Sequence, residues 1–288
     1  MPPLPQSRCD FGKVKGPAAL FSAAGFFAFF DTMLKYLSLR VPSGEIVLVR
    51  FLLGLIISVP ALIRYSRHLD GRSVVLLITR GFLGALAIFS LINALRLGTL
   101  SGSMVLFFTN PIWTLVLSVI LLGEQLTRQR VIGVMISFLG AVLVIGPRYG
   151  EMAPGDLLGL AAGVFAGAAM VVIRHLRARC DTFVIYGFHS LIGVAISIPL
   201  VARNPVAPEV RLVGILLVVS VLGLLGQLTM TYGLGFVRPA EAAVILMTES
   251  LLTILMGALL FHETLTPLFL VGAAMILGSS VFLARTGI

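Results

Sequence analysis

The sequence predicts an all-α integral membrane protein, with ten transmembrane helices arranged as two inverted five-helix repeats. Of the 288 residues, 58% are hydrophobic and 11% are charged, a composition far from that of soluble domains. Apolar stretches of about 20 residues, long enough to cross a hydrocarbon core, recur along the chain. The two halves of the chain also resemble each other, which indicates that these stretches belong to a duplicated unit.

An internal alignment is the basis for the predicted repeat. An offset of 139 residues places Lys35 on Arg174, and Ile-Ser-Val-Pro at 57–60 on Ile-Ser-Ile-Pro at 196–199, without a gap. Roughly a fifth of the overlapped positions are identical, about twice what composition alone gives. A duplicated unit of five spans must insert its second copy upside down, as in many secondary transporters. The repeat therefore favours transport before any side chain is considered.

We expect ten spans joined by short connections. Their bounds are 17–37, 44–63, 73–95, 100–122, 130–147, 155–173, 182–202, 211–235, 240–261 and 267–285. Residues 1–16 form a polar, basic N-terminal segment, 17–147 the first repeat and 155–285 the second. Nothing after the first span resembles a cleavage site, so we expect that span to be retained.

The placement of charge predicts the orientation. With the N-terminus inside, thirteen Lys and Arg residues lie on the inner side of the spans and six on the outer side. Because cytoplasmic connections carry the excess of positive charge, we expect both termini in the cytoplasm and the chain in a bacterial inner membrane. The net charge of +9 follows from this asymmetry, and no nucleic-acid partner is expected. The expected partners are the lipid bilayer and a small-molecule substrate; protons as coupling ion and a homodimer are open alternatives.

Short motifs in both halves carry a family resemblance. They are Leu-Leu-Gly-Glu-Gln-Leu at 121–126 with Gly133, Leu-Phe-His-Glu-Thr-Leu at 260–265 with Gly272, and in the first half Phe30-Asp31, Lys35, Arg50, Arg80-Gly81 and Asn110-Pro111. Together with the ten spans, they make the chain resemble the EamA-type family of the drug/metabolite transporter superfamily over nearly its whole length. The resemblance implies alternating access around a cavity walled by spans 1, 3, 4, 6, 8 and 9. It also implies a metabolite such as an amino acid, riboflavin or S-adenosylmethionine as substrate.

Four charged residues lie deep inside the predicted spans, away from the span ends: Asp31, Arg50, Arg80 and Glu249. A charge in the membrane interior costs several kcal/mol unless paired or hydrated, so each is a candidate to bind substrate or a coupling proton. Similar depths and opposite signs predict an Asp31–Arg50 pair, which is either structural or in contact with substrate. Arg80 and Glu249 form a second predicted pair. Alternatively, Arg80 extends to the cytoplasmic headgroups and Glu249 hydrogen-bonds a neighbouring helix.

Uncharged residues near the bilayer midplane are further candidates for the site. Asn110 and Pro111 are equivalent to Glu249 and Ser250 of the second half, so the second half departs here from the pattern of the first. Pro111 predicts a helix kink, because it leaves the carbonyl of the residue at 107 without its usual amide partner. That carbonyl must be satisfied by a side chain, water or a ligand. Trp113, the only tryptophan, either stacks on a ligand or packs against its neighbours.

Two further residues are candidates with an alternative each. His189 is equivalent to Arg50, and it is either a proton carrier or a packing residue that is hydrogen-bonded within the bundle. Gln227 in span 8 either lines the cavity or holds two helices together. The motif residues Glu124 and Glu263 end spans at an interface, where we expect them to organise loops or gates rather than bind substrate.

Glycine recurs every fourth residue along span 6, at Gly155, Gly159, Gly163 and Gly167. Such a stripe lets a neighbouring helix approach closely, either as static packing or as a seam along which helices move.

Several function classes lack their motifs. We find no phosphate-binding loop, no His-Glu-x-x-His and no Cys/His cluster with metal-ligand spacing, so we expect no cofactor, no metal and no enzyme activity. The main expectation is a secondary transporter of a small polar or amphipathic metabolite. A lipid-linked or strongly apolar substrate is the first alternative, and a membrane enzyme or scaffold the second.

Overall fold

The chain folds into a bundle of α-helices. The computed structural model describes residues 9–65, 69–122, 127–145, 154–176, 180–203, 210–233 and 239–285. Within these ranges the helices are α1 (Cys9–Ser38), α2 (Ser43–Tyr65), α3 (Gly71–Leu97), α4 (Leu100–Phe107), α5 (Asn110–Leu122), α6 (Arg128–Ile145), α7 (Pro154–Leu176), α8 (Thr182–Arg203), α9 (Val210–Gly233), α10 (Pro239–Phe261) and α11 (Pro267–Arg285).

The lengths and the surfaces of the helices fit a multi-pass membrane protein. Among the described residues, six helices (α1, α2, α3, α7, α8 and α9) are long and apolar enough to cross a membrane, and α6, α10 and α11 contain shorter apolar segments. Large apolar side chains cover the outside of the bundle, with Ile63 70% exposed and Leu259 64% exposed. An apolar exterior of this kind is stable against lipid rather than water. The predicted all-α membrane class is confirmed.

The fourth predicted span, 100–122, is two helices rather than one. α4 ends at Phe107 and α5 begins at Asn110, with a turn between them. Pro111 then lies in the first turn of α5, where its missing amide removes no bond from the helix. The kink predicted at Pro111 is therefore a break in the helix just before this proline.

Helices of the first half pack mainly against helices of the second half. The most extensive contacts join α3 with α7, α2 with α8, α1 with α9, and α6 with α11. The largest buried apolar cluster includes Leu34, Phe51, Leu95, Met104 and Val219, so it extends across α1, α2, α3, α4 and α9. Polar side chains inside the bundle are thus held by helices from both halves.

The glycine stripe of α7 lies against the broken fourth span. A Cβ atom on Gly167 would stand 2.7 Å from the carbonyl oxygen of Asn110 and 2.9 Å from the amide nitrogen of Thr114. A Cβ atom on Gly163 would stand 3.0 Å from the carbonyl oxygen of Phe107. The hydroxyl of Thr114 also donates a hydrogen bond of 3.2 Å to the carbonyl of Gly167. The stripe therefore brings two backbones together, and the predicted close approach of a neighbouring helix is confirmed.

Candidate functional site

Two carboxyl groups meet inside the bundle, one on α1 and one on α10. Asp31 is 3% exposed and Glu249 is 8% exposed, and the two carboxyl groups are close enough to interact. Two neighbouring carboxylates repel each other, so a proton, a cation or a nearby basic side chain stabilises such a pair. Glu249 faces Asp31 rather than its predicted partner Arg80.

Arg50 of α2 lies beside this carboxyl pair. Its guanidinium group stacks over the ring of Phe30 at 4.3 Å and interacts electrostatically with Asp31. The buried Nη1 atom has no hydrogen-bond partner. A Cβ atom on Gly223 of α9 would stand 2.9 Å from this Nη1, so the glycine leaves room for the guanidinium group. The predicted partners Asp31 and Arg50 are near each other, but no hydrogen bond joins them among the described residues.

Arg80 of α3 and His189 of α8 face each other. Arg80 is only 6% exposed, so it lies inside the bundle and does not extend to the headgroups. Its Nε and Nη1 atoms have no hydrogen-bond partner. His189 lies beside the backbone of Gly81 and packs edge-on against the ring of Phe51 at 4.8 Å. A side chain on Gly84 would collide with both Arg80 and His189, so this glycine is needed for their approach.

Tyr186 is a site residue that sequence reasoning missed. Its side chain is 5% exposed and interacts electrostatically with both Arg50 and Arg80. Tyr186 and His189 are three residues apart and share one face of α8. A tyrosine in an apolar helix carries a hydroxyl that needs a polar partner. This requirement could have marked Tyr186 as a candidate from the sequence.

A side chain at the break between α4 and α5 forms a hydrogen bond with a free backbone carbonyl there. The side-chain amide of Asn110 donates a hydrogen bond of 3.0 Å to the carbonyl of Phe107, the group that Pro111 was predicted to leave free. Trp113 donates to the hydroxyl of Thr109 at 3.1 Å. The indole also packs edge-on against another ring, that of Phe138 on α6, at 5.5 Å. Trp113 thus packs against its neighbours here, as one of its two predicted alternatives required.

Gln227 lies one helical turn beyond Gly223 on α9. It is partly buried, and the i, i+4 spacing puts it on the face of α9 that borders Arg50. The structure therefore brings together Asp31, Arg50, Arg80, His189 and Glu249, with Gln227 on an adjoining face. Among the described residues, no three His, Cys, Asp or Glu side chains form a group that could hold a metal ion.

The comparison with protein-family models decides the family. The model of the EamA-like transporter family matches residues 14–146 and again residues 153–285. The chain belongs to this family. The resemblance predicted from the motifs is thereby confirmed, and the EamA-like family consists of transporters rather than enzymes.

Relatives and a solved structure cover most of this EamA-like chain at low identity. The pseudopaline exporter CntI of Pseudomonas aeruginosa is 27% identical over 266 residues, which cover 90% of this chain and 92% of the relative. An S-adenosylmethionine uptake transporter of Rickettsia bellii is 22% identical over 254 residues, which cover 88% and 87%. A crystal structure that is 21% identical covers 94% of this chain and 98% of its own, with a TM-score of 0.64. That structure shares the fold.

The motif glutamate of the second EamA-like half organises the connection between α3 and α4. The two carboxylate oxygens of Glu263 accept hydrogen bonds from the amides of Leu100, at 2.5 Å, and Ser101, at 2.9 Å. Lys35 of α1 donates to the carbonyls of Leu95, at 2.5 Å, and Gly98. The positively charged Lys35 thus binds the carbonyl end of α3, and the negatively charged Glu263 binds the amide end of α4. Helix dipoles favour this arrangement of charges. Glu124, the equivalent glutamate of the first half, lies outside the described residues.

Removing this helix cap is expected to lower stability without changing the substrate site. Glu263→Ala leaves the amides of Leu100 and Ser101 without acceptors, which should cost about 1–2 kcal/mol of unfolding free energy. The measurement is the apparent melting temperature of the detergent-solubilised protein. Thr264→Ala, an exposed position in the same loop, is the matched control and should leave it unchanged. Equal stability of both variants would show that the cap is dispensable.

Proposed function

We propose that this protein is a secondary transporter that moves a small polar or amphipathic metabolite across the bacterial inner membrane by alternating access. Membership of the EamA-like family supports transport. The observation that carries the proposal is a group of five ionisable side chains in the middle of an apolar bundle: Asp31, Arg80, His189 and Glu249, which are buried, and Arg50, which is partly buried. Charged groups in a membrane interior are expensive and mark sites of binding or proton transfer.

The pairing of helices supports two inverted repeats around that site. An inverted repeat maps each helix of the first half onto one of the second, so each contact between halves should have an equivalent. α1 with α9 is equivalent to α7 with α3, and both are extensive. α1 with α10 is likewise equivalent to the contacts of α7 with α4 and α5. The repeat makes α2 equivalent to α8 and α6 equivalent to α11, so exchanging the two halves leaves each of these two contacts unchanged. Contacts of this kind are expected at a two-fold axis.

Alternating access in this proposal is a rocking of the two halves around the charged group. Asp31, Arg50 and Arg80 belong to the first half, and His189 and Glu249 to the second, so a motion between halves changes the contacts among them. The first-half residues Asn110, Pro111 and Trp113 and the second-half residue Gln227 are proposed to line the path of the substrate. With both termini on the cytoplasmic side, the Lys35 and Glu263 contacts lie at the outer end of the bundle.

The proposed function is tested by an untargeted transport assay. Proteoliposomes that contain the full-length protein are loaded with a bacterial metabolite extract, and mass spectrometry identifies compounds that leave faster than from protein-free liposomes. Pseudopaline and S-adenosylmethionine are added to the extract, because relatives are named for these compounds. Release of at least one metabolite supports transport. Identical release with and without a folded protein would refute it.

A further inference from the structure

Basic side chains from both halves of the chain meet at one end of the bundle. A buried apolar cluster around Leu77 and Leu176 packs the ends of α2 and α7 against the starts of α3 and α8. These helix ends carry Arg64, Arg72 and His175, which are all exposed. The packing of the four helices therefore gathers basic groups that are more than 100 positions apart in the sequence around one place on the surface.

The sequence concentrates positive charge in the two connections between these helix ends. Residues 64–72 and 174–181 together hold six arginines and two aspartates, which gives a net charge of +4. One of the aspartates, Asp181, accepts a hydrogen bond of 2.8 Å from the amide of Phe183 at the start of α8. An excess of positive charge is enough to orient a membrane protein, but it does not require two basic connections to be neighbours. With both termini cytoplasmic, as proposed, this end faces the anionic surface of the inner leaflet.

Exposed apolar side chains lie next to these basic groups. Ile63, which precedes Arg64, is 70% exposed, and Val75, one turn after Arg72, is 63% exposed. The guanidinium carbon of Arg64 lies 5.6 Å from the centre of the Tyr65 ring, which is itself exposed. A tyrosine at a membrane interface places its ring in the apolar layer and its hydroxyl among the headgroups. A ligand that fits this surface therefore has a negatively charged group attached to an apolar chain.

We infer that this surface is a binding site for an anionic phospholipid of the inner leaflet. The phosphate of the lipid binds Arg64 and Arg72, since guanidinium groups form charge-assisted hydrogen bonds with phosphate oxygens. His175 of the second half adds a hydrogen-bond donor. The acyl chains lie against Ile63 and Val75. Because the basic groups come from both halves, a bound lipid links the two halves at this end of the bundle.

The test compares lipids that share their acyl chains and differ in the charge of the headgroup. Native mass spectrometry of the purified full-length protein, in a neutral detergent, gives dissociation constants for dioleoyl phosphatidylglycerol and dioleoyl phosphatidylcholine. A basic group near an anionic lipid changes the affinity about fivefold, so two arginines should make phosphatidylglycerol bind about 30-fold more tightly. The apparent melting temperature should also rise more with phosphatidylglycerol, because a ligand of the folded state stabilises it by mass action.

A double variant assigns this preference to the two arginines. Arg64→Gln with Arg72→Gln should weaken phosphatidylglycerol binding about 30-fold and leave phosphatidylcholine binding unchanged. Arg64→Lys with Arg72→Lys keeps both charges and should keep most of the preference. Arg96→Gln with Arg203→Gln is the matched control, because it removes two exposed arginines from the opposite end of the bundle. The control should bind both lipids as the wild type does.

Three results would overturn the inference. Equal affinity for the two lipids would show that the headgroup charge is not recognised. An equal loss in the control variant would show that only the net charge of the protein matters. Displacement of phosphatidylglycerol by an equal concentration of glycerol 3-phosphate, the headgroup phosphate without acyl chains, would assign the surface to a soluble phosphate compound. These measurements use no transported substrate, so their outcome is independent of the proposed function.

Discussion

Arg80→Gln is expected to abolish transport while leaving the protein as thermostable as the wild type, or more so. The substitution removes the positive charge and the buried donors that have no partner in the described structure. Truncating one partner of a buried charge–ligand contact costs about 2–5 kcal/mol, which corresponds to a loss of roughly 30-fold or more in affinity. An unpaired buried charge contributes nothing to stability, so its removal should not lower the melting temperature.

Transport and stability must be measured together to interpret this variant. Metabolite release from proteoliposomes gives the first quantity, and thermal unfolding in detergent gives the second. Arg96→Gln is the matched control, because Arg96 is an exposed arginine in the last turn of the same helix. Loss of both transport and stability in Arg80→Gln would identify Arg80 as a structural residue and contradict its assignment to the substrate site.

Gly167→Ala is expected to lower the stability of the protein substantially. The new methyl group would stand 2.7 Å from the carbonyl oxygen of Asn110 and 2.9 Å from the amide nitrogen of Thr114, closer than Cβ atoms approach backbone. Helix α7 must then move away from α5, and overpacking of this kind costs about 1–3 kcal/mol. The effect exceeds the gain of up to about 1 kcal/mol that alanine brings to a helix interior.

The same substitution at an open position provides the control for Gly167→Ala. A methyl group on Gly278 of α11 would have no neighbouring atom within 4 Å, so Gly278→Ala should keep or raise the apparent melting temperature. Thermal unfolding of both variants and of the wild type, in one detergent, gives the comparison. A Gly167→Ala protein as stable as Gly278→Ala would show that α7 and α5 are packed more loosely than these distances indicate.

The sequence predicted the positions of the helices better than it predicted the contacts between their side chains. Apolar stretches of about 20 residues locate spans by length and composition, and these two properties are local. Pro111 predicted the distortion of the fourth span, but the hydrogen bond from the side chain of Asn110 to the carbonyl of Phe107 was not predicted. Only packing determines whether a helix bends or breaks.

Contacts across the bundle were harder to predict than the helices. The four charged residues deep inside the predicted spans were identified as candidates, but the meeting of Asp31 with Glu249 depends on the packing of α1 against α10. Sign and depth favoured Arg50 as the partner of Asp31, since opposite charges attract. Tyr186 escaped notice because one hydroxyl in an apolar helix is common, and its importance comes from two arginines on other helices.

The connection between α3 and α4 has a consequence for the speed of any rearrangement at that end of the bundle. It is bound by Lys35 from the first half and by Glu263 from the second, so two independent parts of the chain act on one short segment. Each of the four hydrogen bonds involves a charged group, worth about 1.5–3 kcal/mol. Lys35 belongs to the same half as this connection, so drawing the halves apart breaks only the two hydrogen bonds of Glu263. Those two bonds add to the barrier for any such movement.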